Sequence, residues 1–373
     1  MSVQNLKIRL HILSPVHIGC DDVYEPTNFV IDEKKNKLIE FDPMNFIKTL
    51  PQKEKDEFSK TCSGDNLLVI FKFIKRAYKP AIGGREVDIA TDLVEHYKRV
   101  LSLSTFDKRA VINQFTINKT AYNPQNNQPY IPGSSLKGSL RTAYLSALAN
   151  IKGIKDYKNQ SQAKDKAREL EISLLNGSFD TDPFRMIKVS DLLPVGDVKT
   201  KIVYAVNRKK EKSDKATLAE KGGVYQIFET IQSGAIFGGI INVESPIEGS
   251  NIKTPIKPET LLLSAHKFYA GNLKQEIKPL NDALGIKHQA GISANAQFQD
   301  KFKQSAFLIR FGRHSGAEAV TIEGNRSIKI KGKDNDFSYK DHATTLWLAS
   351  ETSKPQTNNG LLPFGWAVME VEK

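Results

Sequence analysis

The chain has 373 residues, of which 54 are lysine or arginine and 42 are aspartate or glutamate, so its formal net charge is +12 and favours an acidic partner. With 39% hydrophobic residues it can bury a large core, which excludes disorder as its main state and predicts about two domains or one elaborated domain. No apolar run approaches the roughly 18 residues of a membrane-spanning helix, and the two cysteines, Cys20 and Cys62, exclude a disulfide framework.

The first third of the chain combines strands with helices. Residues 6–13 alternate apolar and polar side chains, as a half-buried strand does. Residues 24–41 predict a hairpin whose tip is the charged run 32–37. Apolar residues then recur every three or four positions, which predicts a helical insertion over residues 42–110. Its helices are predicted over residues 42–50, 67–78 and 89–103.

Strand and helix patterns also alternate through the remaining two thirds. A Gly- and Ser-rich loop, residues 133–139, opens into a helix whose apolar face runs to Ile151. Strands at 201–207 and 223–230 flank the basic run 208–215 and predict a long basic hairpin. Strands are also predicted over residues 115–118, 184–193, 235–243, 306–311 and 361–369, with a helix over 258–270. This mixed order predicts an α+β fold rather than a doubly wound parallel sheet.

The loop at residues 133–139, Gly-Ser-Ser-Leu-Lys-Gly-Ser, permits three interpretations. A nucleotide-binding P-loop needs a lysine directly after its second glycine, where Ser139 stands instead. Ser134 and Lys137 have the spacing of an acyl-enzyme serine and its lysine, but the Ser-Asp-Asn and Lys-Thr-Gly companions are absent. An anion cradle is favoured, because glycines allow a phosphate to approach and Lys137 and Arg141 share one helical face. A well-capped helix explains the serines and glycines but not these two cations.

The histidines and cysteines form no metal-site pattern. Cys20 lies three residues from His17, and no second pair lies at ligand spacing, so neither a structural zinc nor another cofactor is predicted. His17, beside Gly19, has three possible roles: general base in RNA cleavage, stacking on a base, or packing. Packing or RNA contact is favoured because no partner acid or base is evident. The N-terminus has no secretory signal, which together with two cysteines predicts a cytoplasmic protein.

Segments throughout the chain resemble the RAMP superfamily of CRISPR effector proteins. The sequence I-P-G-S-S-L-K-G-S-L-R, residues 131–141, resembles the glycine-rich signature of the superfamily, and L-S-P-V-H-I-G, residues 13–19, resembles its first-strand motif. Residues 229–237 resemble the strand after the thumb hairpin, and F-G-R-H-S-G, residues 311–316, a late glycine motif. Similarity to the fifth-subunit family of type III-A Csm complexes rests in addition on residues 24–31 and 362–366.

This resemblance implies a ferredoxin-like, RRM-like core in which residues 1–373 form a single elaborated unit. It implies a β-hairpin thumb within residues 195–237, and an α+β part, residues 238–373, that completes the core. The implied partners are CRISPR RNA (crRNA), the repeated backbone RAMP subunit and the small helical subunit of a Csm complex. The RNA contacts carried over by position or assigned from the basic run are His17, Gly19, Gly133, Ser134, Ser135, Lys137, Gly138, Arg141, Arg208, Lys209, Lys210, Arg310, Arg313 and His314.

The resemblance also bears on catalysis. Backbone RAMP subunits that slice target RNA carry an aspartate shortly after the first glycine loop, but the corresponding residues 26–31 contain none, although Asp21 and Asp22 lie nearby. We therefore expect a non-catalytic subunit that caps the 3′ side of the crRNA and assists crRNA maturation, without membrane contact. The alternatives are a metal-independent endoribonuclease that trims the crRNA precursor through His17 and a nearby lysine, and a scaffold that recruits host nucleases.

Overall fold

A computed structural model describes residues 3–64, 66–104, 115–155, 163–211, 224–332 and 336–372. The strands are β1 (Val3–Ile12), β2 (Gly19–Val23), β3 (Phe29–Asp32), β4 (Lys37–Glu40), β5 (Arg85–Ile89), β6 (Ile117–Thr120), β7 (Tyr122–Asn123), β8 (Gln128–Pro129), β9 (Ile187–Val189), β10 (Leu193–Pro194), β11 (Thr200–Lys209), β12 (Tyr225–Ile231), β13 (Ile236–Glu244), β14 (Ala306–Arg310), β15 (Ile328–Lys331), β16 (Phe337–Lys340), β17 (Thr345–Ser350), β18 (Leu362–Pro363) and β19 (Trp366–Val371). The helices are α1 (Pro43–Thr49), α2 (Gln52–Cys62), α3 (Leu67–Ala77), α4 (Leu93–Ser102), α5 (Gly133–Ile151), α6 (Ala163–Leu175), α7 (Pro258–Asp282) and α8 (Gln289–Phe298). Short 3₁₀ turns lie at Pro80–Ile82, Pro183–Met186, Gln299–Lys301 and Ala317–Val320.

The first sheet has the ferredoxin-like arrangement that the resemblance implies. Its strand order is β10-β13-β1-β19-β14, all neighbours are antiparallel, and β9 also pairs with β13. Along the chain the core runs β1, α5, β9 with β10, β13, α7 and finally β19. The four core strands in chain order are thus β1, β10, β13 and β19, and counted from the β19 side of the sheet they lie in the order fourth, first, third, second. Strand β14 is an additional edge strand. The expectation of an α+β, ferredoxin-like fold is therefore confirmed.

Helices α5 and α7 pack against each other and against this sheet. Ile8, Leu10 and Ile12 of β1 are buried, whereas Lys7 and Arg9 between them are exposed, as the period of two requires. Leu10 lies opposite Phe237 of β13 and Met369 of β19 in the two registers. The core of the first sheet therefore lies on its helix-covered face.

The second sheet is assembled from three insertions into this core. Its order is β2-β6-β12-β11-β5-β4-β3, with β17 pairing with both β11 and β18. Strands β2 to β6 lie in the chain between β1 and α5, strands β11 and β12 between β10 and β13, and strands β17 and β18 between β14 and β19. Helices α3 and α4 supply buried residues to one face of this sheet, among them Phe71 and Tyr97. The segment 42–110 thus contains strand β5 as well as the predicted helices.

The predicted basic hairpin is formed by β11 and β12. These strands pair antiparallel from Thr200 opposite Ile231 to Val206 opposite Tyr225. Strand β11 also pairs with β5 and β17, so the hairpin is anchored inside the second sheet over most of its length. Its predicted basic tip, residues 212–215, lies outside the described residues.

Two predicted elements differ in extent from the observed ones. Helix α5 begins at Gly133, so the predicted loop at 133–139 forms its first two turns. Serines suit a helix start because the N–H groups there have no partner within the helix and a hydroxyl oxygen can accept from them. Helix α7 continues past residue 270 to Asp282 because polar Asn272 and Glu276 occupy buried positions, which an apolar pattern does not reveal. The structure also contains elements that no sequence pattern predicted, namely α2, α8, β2, β5, β7, β8, β15, β16 and β17.

Candidate nucleic-acid interface

The start of helix α5 carries the glycine-rich signature. The N–H group of Gly133 donates to Oδ1 of Asp191 at 2.8 Å, so a carboxylate of the chain itself binds one free N–H of the helix end. Gly133 packs directly on strand β9, since a Cβ there would lie 2.2 Å from the carbonyl oxygen of Val189. Ser134 is exposed and Ser135 half-buried, and Gly138 is exposed with open space around its Cα. Open space beside the helix therefore begins at Ser134 and Gly138, not at Gly133.

Three cations surround this open face. Burial lowers the pKa of Lys137, and the neighbouring charges of Lys188 and Arg141 lower it further. Arg141 is neutralised by Glu171 at 2.7 Å and by Asp182 at 2.8 Å. Lys137 on α5 and Lys188 on β9 form no ion pair with a carboxylate of any described residue. These two lysines, called the α5 lysine pair below, are the cations here with charge to offer a phosphate.

The basic residues at the base of the β11–β12 hairpin bind the chain itself. Arg208 donates to Oδ1 of Asn358 at 3.2 Å and to the carbonyl oxygen of Pro355 at 2.9 Å. Lys210 contacts Glu318 at 2.5 Å. Lys209 is half-buried at the end of β11. The structure therefore gives Arg208 and Lys210 a role in fixing the hairpin base to the C-terminal segment.

His17 is an interior residue. Its side chain is 1% exposed, its Nδ1 lies 2.8 Å from the carbonyl oxygen of Glu229, and its ring stacks on Phe228 at 4.4 Å. Burial lowers its pKa to about 4, and the nearby charge of Arg313 acts in the same direction. The histidine is neutral near pH 7, as a general base must be, but its ring is out of reach of a substrate in this conformation. Gly19, two residues on, is exposed at the start of β2.

The late glycine motif meets the first-strand motif at this point. The N–H of Arg313 donates to the carbonyl oxygen of His17 at 2.9 Å, and the exposed Arg313 guanidinium lies 5.2 Å from the Phe228 ring. His314, with a φ of 63°, stacks on Trp347 at 4.5 Å. Burial, with Arg313 second, lowers the pKa of His314 to about 4. Nothing in the sequence indicated that these two motifs, separated by nearly the whole chain, lie side by side.

Arg310, for which the resemblance implied an RNA contact, lies in the interior. It is 5% exposed, its Nη1 binds Oε2 of Glu276 at 2.5 Å, and its Nε donates to the carbonyl oxygen of Phe364 at 2.9 Å. The guanidinium also lies 4.6 Å from the ring of Trp366. Because these partners surround it, Arg310 acts as a core residue that ties β14 to α7.

A buried carboxylate that sequence analysis missed organises the second sheet. Glu229 of β12 is fully buried, forms an ion pair with Arg85, and accepts hydrogen bonds from Tyr24 at 2.9 Å and Thr200 at 2.8 Å. Its backbone carbonyl is the one that contacts His17. The available signal was a single acidic residue inside the apolar run of β12, where a charge requires a partner.

The other polar groups near the first glycine loop show no metal geometry. Asp21 and Asp22 are exposed on β2, and Asp22 lies 3.6 Å from Lys119. Among the residues whose placement is described, no group of three or more His, Cys, Asp or Glu side chains is arranged to hold a metal ion. In the same part of the chain, no helix is both long and apolar enough to cross a membrane.

Comparison with known proteins identifies the class first. A model of the RAMP superfamily matches residues 9–345, so the chain belongs to the RAMP superfamily. A curated relative, the CRISPR system Cms protein Csm5 of Methanocaldococcus jannaschii, is 26% identical over 216 residues, which are 56% of this chain and 48% of the relative. The match thus spans about half the length of that relative.

Solved structures give the same fold over nearly the whole chain. One chain of a Csm–crRNA–target RNA ternary complex of a type III-A CRISPR–Cas system superimposes with a TM-score of 0.58 and 18% identity, covering 98% of this chain and 100% of the other. The crystal structure of T. onnurineus Csm5 superimposes with a TM-score of 0.54 and 18% identity, covering 96% and 99%. Both likenesses therefore extend the shared fold over nearly the whole chain.

Proposed function

We propose that this chain is a Csm5-like subunit of a type III-A CRISPR effector complex, which binds the crRNA, caps its 3′ side and assists its maturation without cutting RNA. Superfamily membership and the fold shared with a chain of a Csm–crRNA–target RNA complex support this assignment. The observation that carries it is the α5 lysine pair, Lys137 and Lys188, which lies beside the exposed Ser134 and Gly138 of the RAMP signature.

The arrangement at α5 suits a phosphodiester backbone. Ser134 and Gly138 leave room next to the helix, and the two lysines supply positive charge that no described carboxylate neutralises. Contacts of this kind read the backbone and not the base sequence. A subunit that holds the guide of every complex, whatever the spacer sequence, needs this mode of binding.

Two observations favour binding over catalysis. His17, the residue of the alternative endoribonuclease mechanism, lies in the interior and makes its contact with the backbone of Glu229. The segment that corresponds to the slicing aspartate of the backbone subunits, residues 26–31, contains no aspartate. As partners we propose the crRNA, the repeated backbone RAMP subunit and the small helical subunit. Host nucleases are proposed as transient partners.

The test is a binding and cleavage assay of the purified full chain with labelled repeat–spacer RNA, across a salt series, with and without divalent metal. Wild type is expected to bind with steep salt dependence and to leave the RNA intact. Lys137→Ala/Lys188→Ala should weaken binding and reduce the slope of log affinity against log salt by about 1.4, since each single-strand phosphate contact contributes about 0.7.

A matched control removes two exposed lysines from helix α2, Lys53→Ala/Lys60→Ala, and so changes the net charge equally. If both double variants lower affinity alike, the effect is one of net charge and the assignment of the α5 lysine pair is wrong. Discrete metal-independent cleavage products that disappear in His17→Ala would instead establish the endoribonuclease.

A further inference from the structure

Strands β15 and β16 form a ribbon that belongs to neither large sheet. They pair antiparallel with each other, from Ile328 opposite Lys340 to Lys331 opposite Phe337, and with no other strand in the described ranges. We call residues 328–331 and 337–340 the C-terminal ribbon. A two-stranded ribbon is marginal by itself and needs support from the body of the protein.

The two faces of the C-terminal ribbon differ in composition. Residues directly opposite in an antiparallel pair, and residues two apart in one strand, share a face. Ile328 and Ile330 therefore share one face with Lys340 and Ser338. On this face the two isoleucines are half-buried, whereas Lys340 and Ser338 are exposed. The other face carries Lys329, Lys331, Phe337 and Tyr339, and all four are exposed.

The exposed face combines aromatic rings with unneutralised positive charge. Phe337 is 44% exposed and Tyr339 47% exposed, and Nζ of Lys329 lies 3.7 Å from the centroid of the Phe337 ring. Neither Lys329 nor Lys331 forms an ion pair with a carboxylate of the described chain. Because Phe337 and Tyr339 are both exposed, a ligand can reach their rings.

The ribbon stands beside the base of the β11–β12 hairpin. Glu318 connects the two: its Oε1 accepts from the N–H of Ala343, just after the ribbon, and contacts Lys210 at the end of β11. Its carbonyl oxygen accepts from Arg326, just before the ribbon, at 3.2 Å. The ribbon is therefore held next to the base of the β11–β12 hairpin.

We propose that the solvent face of the C-terminal ribbon is a second RNA-binding site, which stacks bases of single-stranded RNA on Phe337 and Tyr339 and holds the adjoining phosphates with Lys329 and Lys331. Aromatic rings on a β-surface flanked by lysines are the arrangement by which proteins bind unpaired bases, and duplexes offer no free base faces to such rings. The site rests on the proposed crRNA-binding function and adds to it a preference for unpaired nucleotides.

The experiment measures fluorescence anisotropy of the full chain with a fluorescein-labelled, mixed-sequence single-stranded RNA of 15 nucleotides, and with its blunt duplex. Phe337→Ala/Tyr339→Ala should weaken single-strand binding about tenfold or more, with little change in the salt slope. Lys329→Gln/Lys331→Gln should reduce the salt slope by about 1.4. The duplex should be bound less well than the single strand by wild type, and its binding should change little in the aromatic variant.

Two further variants separate stacking from support of the ribbon. Phe337→Tyr/Tyr339→Phe keeps both rings and should bind as wild type does, whereas Phe337→Leu/Tyr339→Leu keeps the apolar bulk and should lose most of what the alanine variant loses. Phe179→Ala removes a ring that is 79% exposed outside the ribbon and is the control for non-specific stacking.

The proposal is overturned if the alanine variant binds single-stranded RNA within twofold of wild type, or if the leucine variant binds as well as wild type. If either result is found while Lys137→Ala/Lys188→Ala still weakens RNA binding, the ribbon is not an RNA-binding site but the proposed function stands. A wild-type chain that binds neither guide RNA nor the 15-nucleotide strand would remove both.

Discussion

The start of helix α5 and the end of strand β14 both carry cations to which the sequence assigns RNA contacts, but their surroundings differ. Lys137 on α5 borders open space and neighbours another cation, Lys188. Arg310 on β14 is enclosed by Glu276, by the carbonyl oxygen of Phe364 and by the ring of Trp366. A cation in a family motif therefore has two physical uses, and its partners within the chain decide between them.

The difference has an energetic consequence. A buried arginine that loses its carboxylate, or a carboxylate that loses its arginine, leaves an uncompensated charge in the interior, which is costly. A lysine without a carboxylate partner contributes little to folding, so its removal affects ligand binding almost alone. A variant at Arg310 should therefore lose stability, whereas a variant at Lys137 should lose RNA affinity.

Arg310→Ala is expected to have the largest effect of this comparison. Burial on its own would raise the pKa of Glu276, but Arg310, His288 and Trp366 outweigh it and hold the pKa at about 2, so this carboxylate stays charged in the folded state. Without Arg310 the free energy of unfolding should fall by about 3–5 kcal/mol. Urea unfolding followed by circular dichroism measures the loss.

The matched control is Arg313→Ala, three positions along the same segment and exposed. It removes a guanidinium that lies over Phe228 and should cost less than about 1 kcal/mol. Under conditions where the Arg310→Ala protein is folded, the affinity of Arg310→Ala for guide RNA should equal that of wild type. Equal unfolding midpoints for Arg310→Ala and wild type would contradict the interior role of Arg310.

The pH dependence of stability also distinguishes buried from exposed residues of the predicted site. The pKa values of His17, His96 and His314 are lowered from 6.5 to about 4, chiefly by burial. Below pH 6.5 the unfolded chain therefore binds protons that the folded chain does not, so stability is complete above pH 6.5 and is lost as the pH falls towards 4. Each histidine accounts for up to roughly 3 kcal/mol of this loss. Urea midpoints at pH 7.5, 6.5 and 5.5 measure the trend.

The variant His17→Gln keeps a hydrogen-bonding group but does not titrate in this range, so its unfolding free energy should fall less steeply between pH 6.5 and 5.5. Exposed His342→Gln is the surface control. If wild type and His17→Gln show parallel pH profiles, His17 is not held neutral in the interior.

Local sequence patterns predicted elements of the first sheet. The second sheet depends on pairing between strands that are distant in the chain, which such patterns do not reveal. The alternation of β1 and the apolar spacing after Gly138 indicated their elements from neighbouring residues alone. Strand β5 pairs with β4 as well as with β11, and β17 pairs with β18 as well as with β11. The pairings with β11 join distant parts of the chain, and no short pattern encodes them.

The same distinction holds for the candidate site. The sequence placed Lys137 on a helical face correctly, because helical spacing is local. Sequence spacing could not show that Arg310 meets Glu276, 34 positions away, or that His17 receives a hydrogen bond from the N–H of Arg313. Ion pairs across the core form between elements that only the complete fold brings together.

The two glycines of the α5 signature allow the finest test of the comparison. A Cβ at Gly133 would press on the carbonyl oxygens of Val189 and Ser190, at 2.2 and 2.7 Å, so Gly133→Ala should cost about 1–3 kcal/mol of stability. At Gly138 nothing lies within 4 Å of an added Cβ, and alanine in place of a helical glycine should stabilise the fold by about 0.5–1 kcal/mol. Thermal unfolding of both variants measures the two signs.

Gly138→Ala then shows whether Gly138 is only a position in the helix or also a position that a phosphate approaches. If the guide backbone approaches the α5 lysine pair across Gly138, the added methyl group should weaken RNA binding about fivefold, the equivalent of one lost hydrogen bond of about 1 kcal/mol, while the fold becomes more stable. Stability and affinity would then move in opposite directions in one variant, which damage to the fold cannot produce. A more stable Gly138→Ala protein with unchanged RNA affinity would mean that the RNA backbone does not approach this turn of α5.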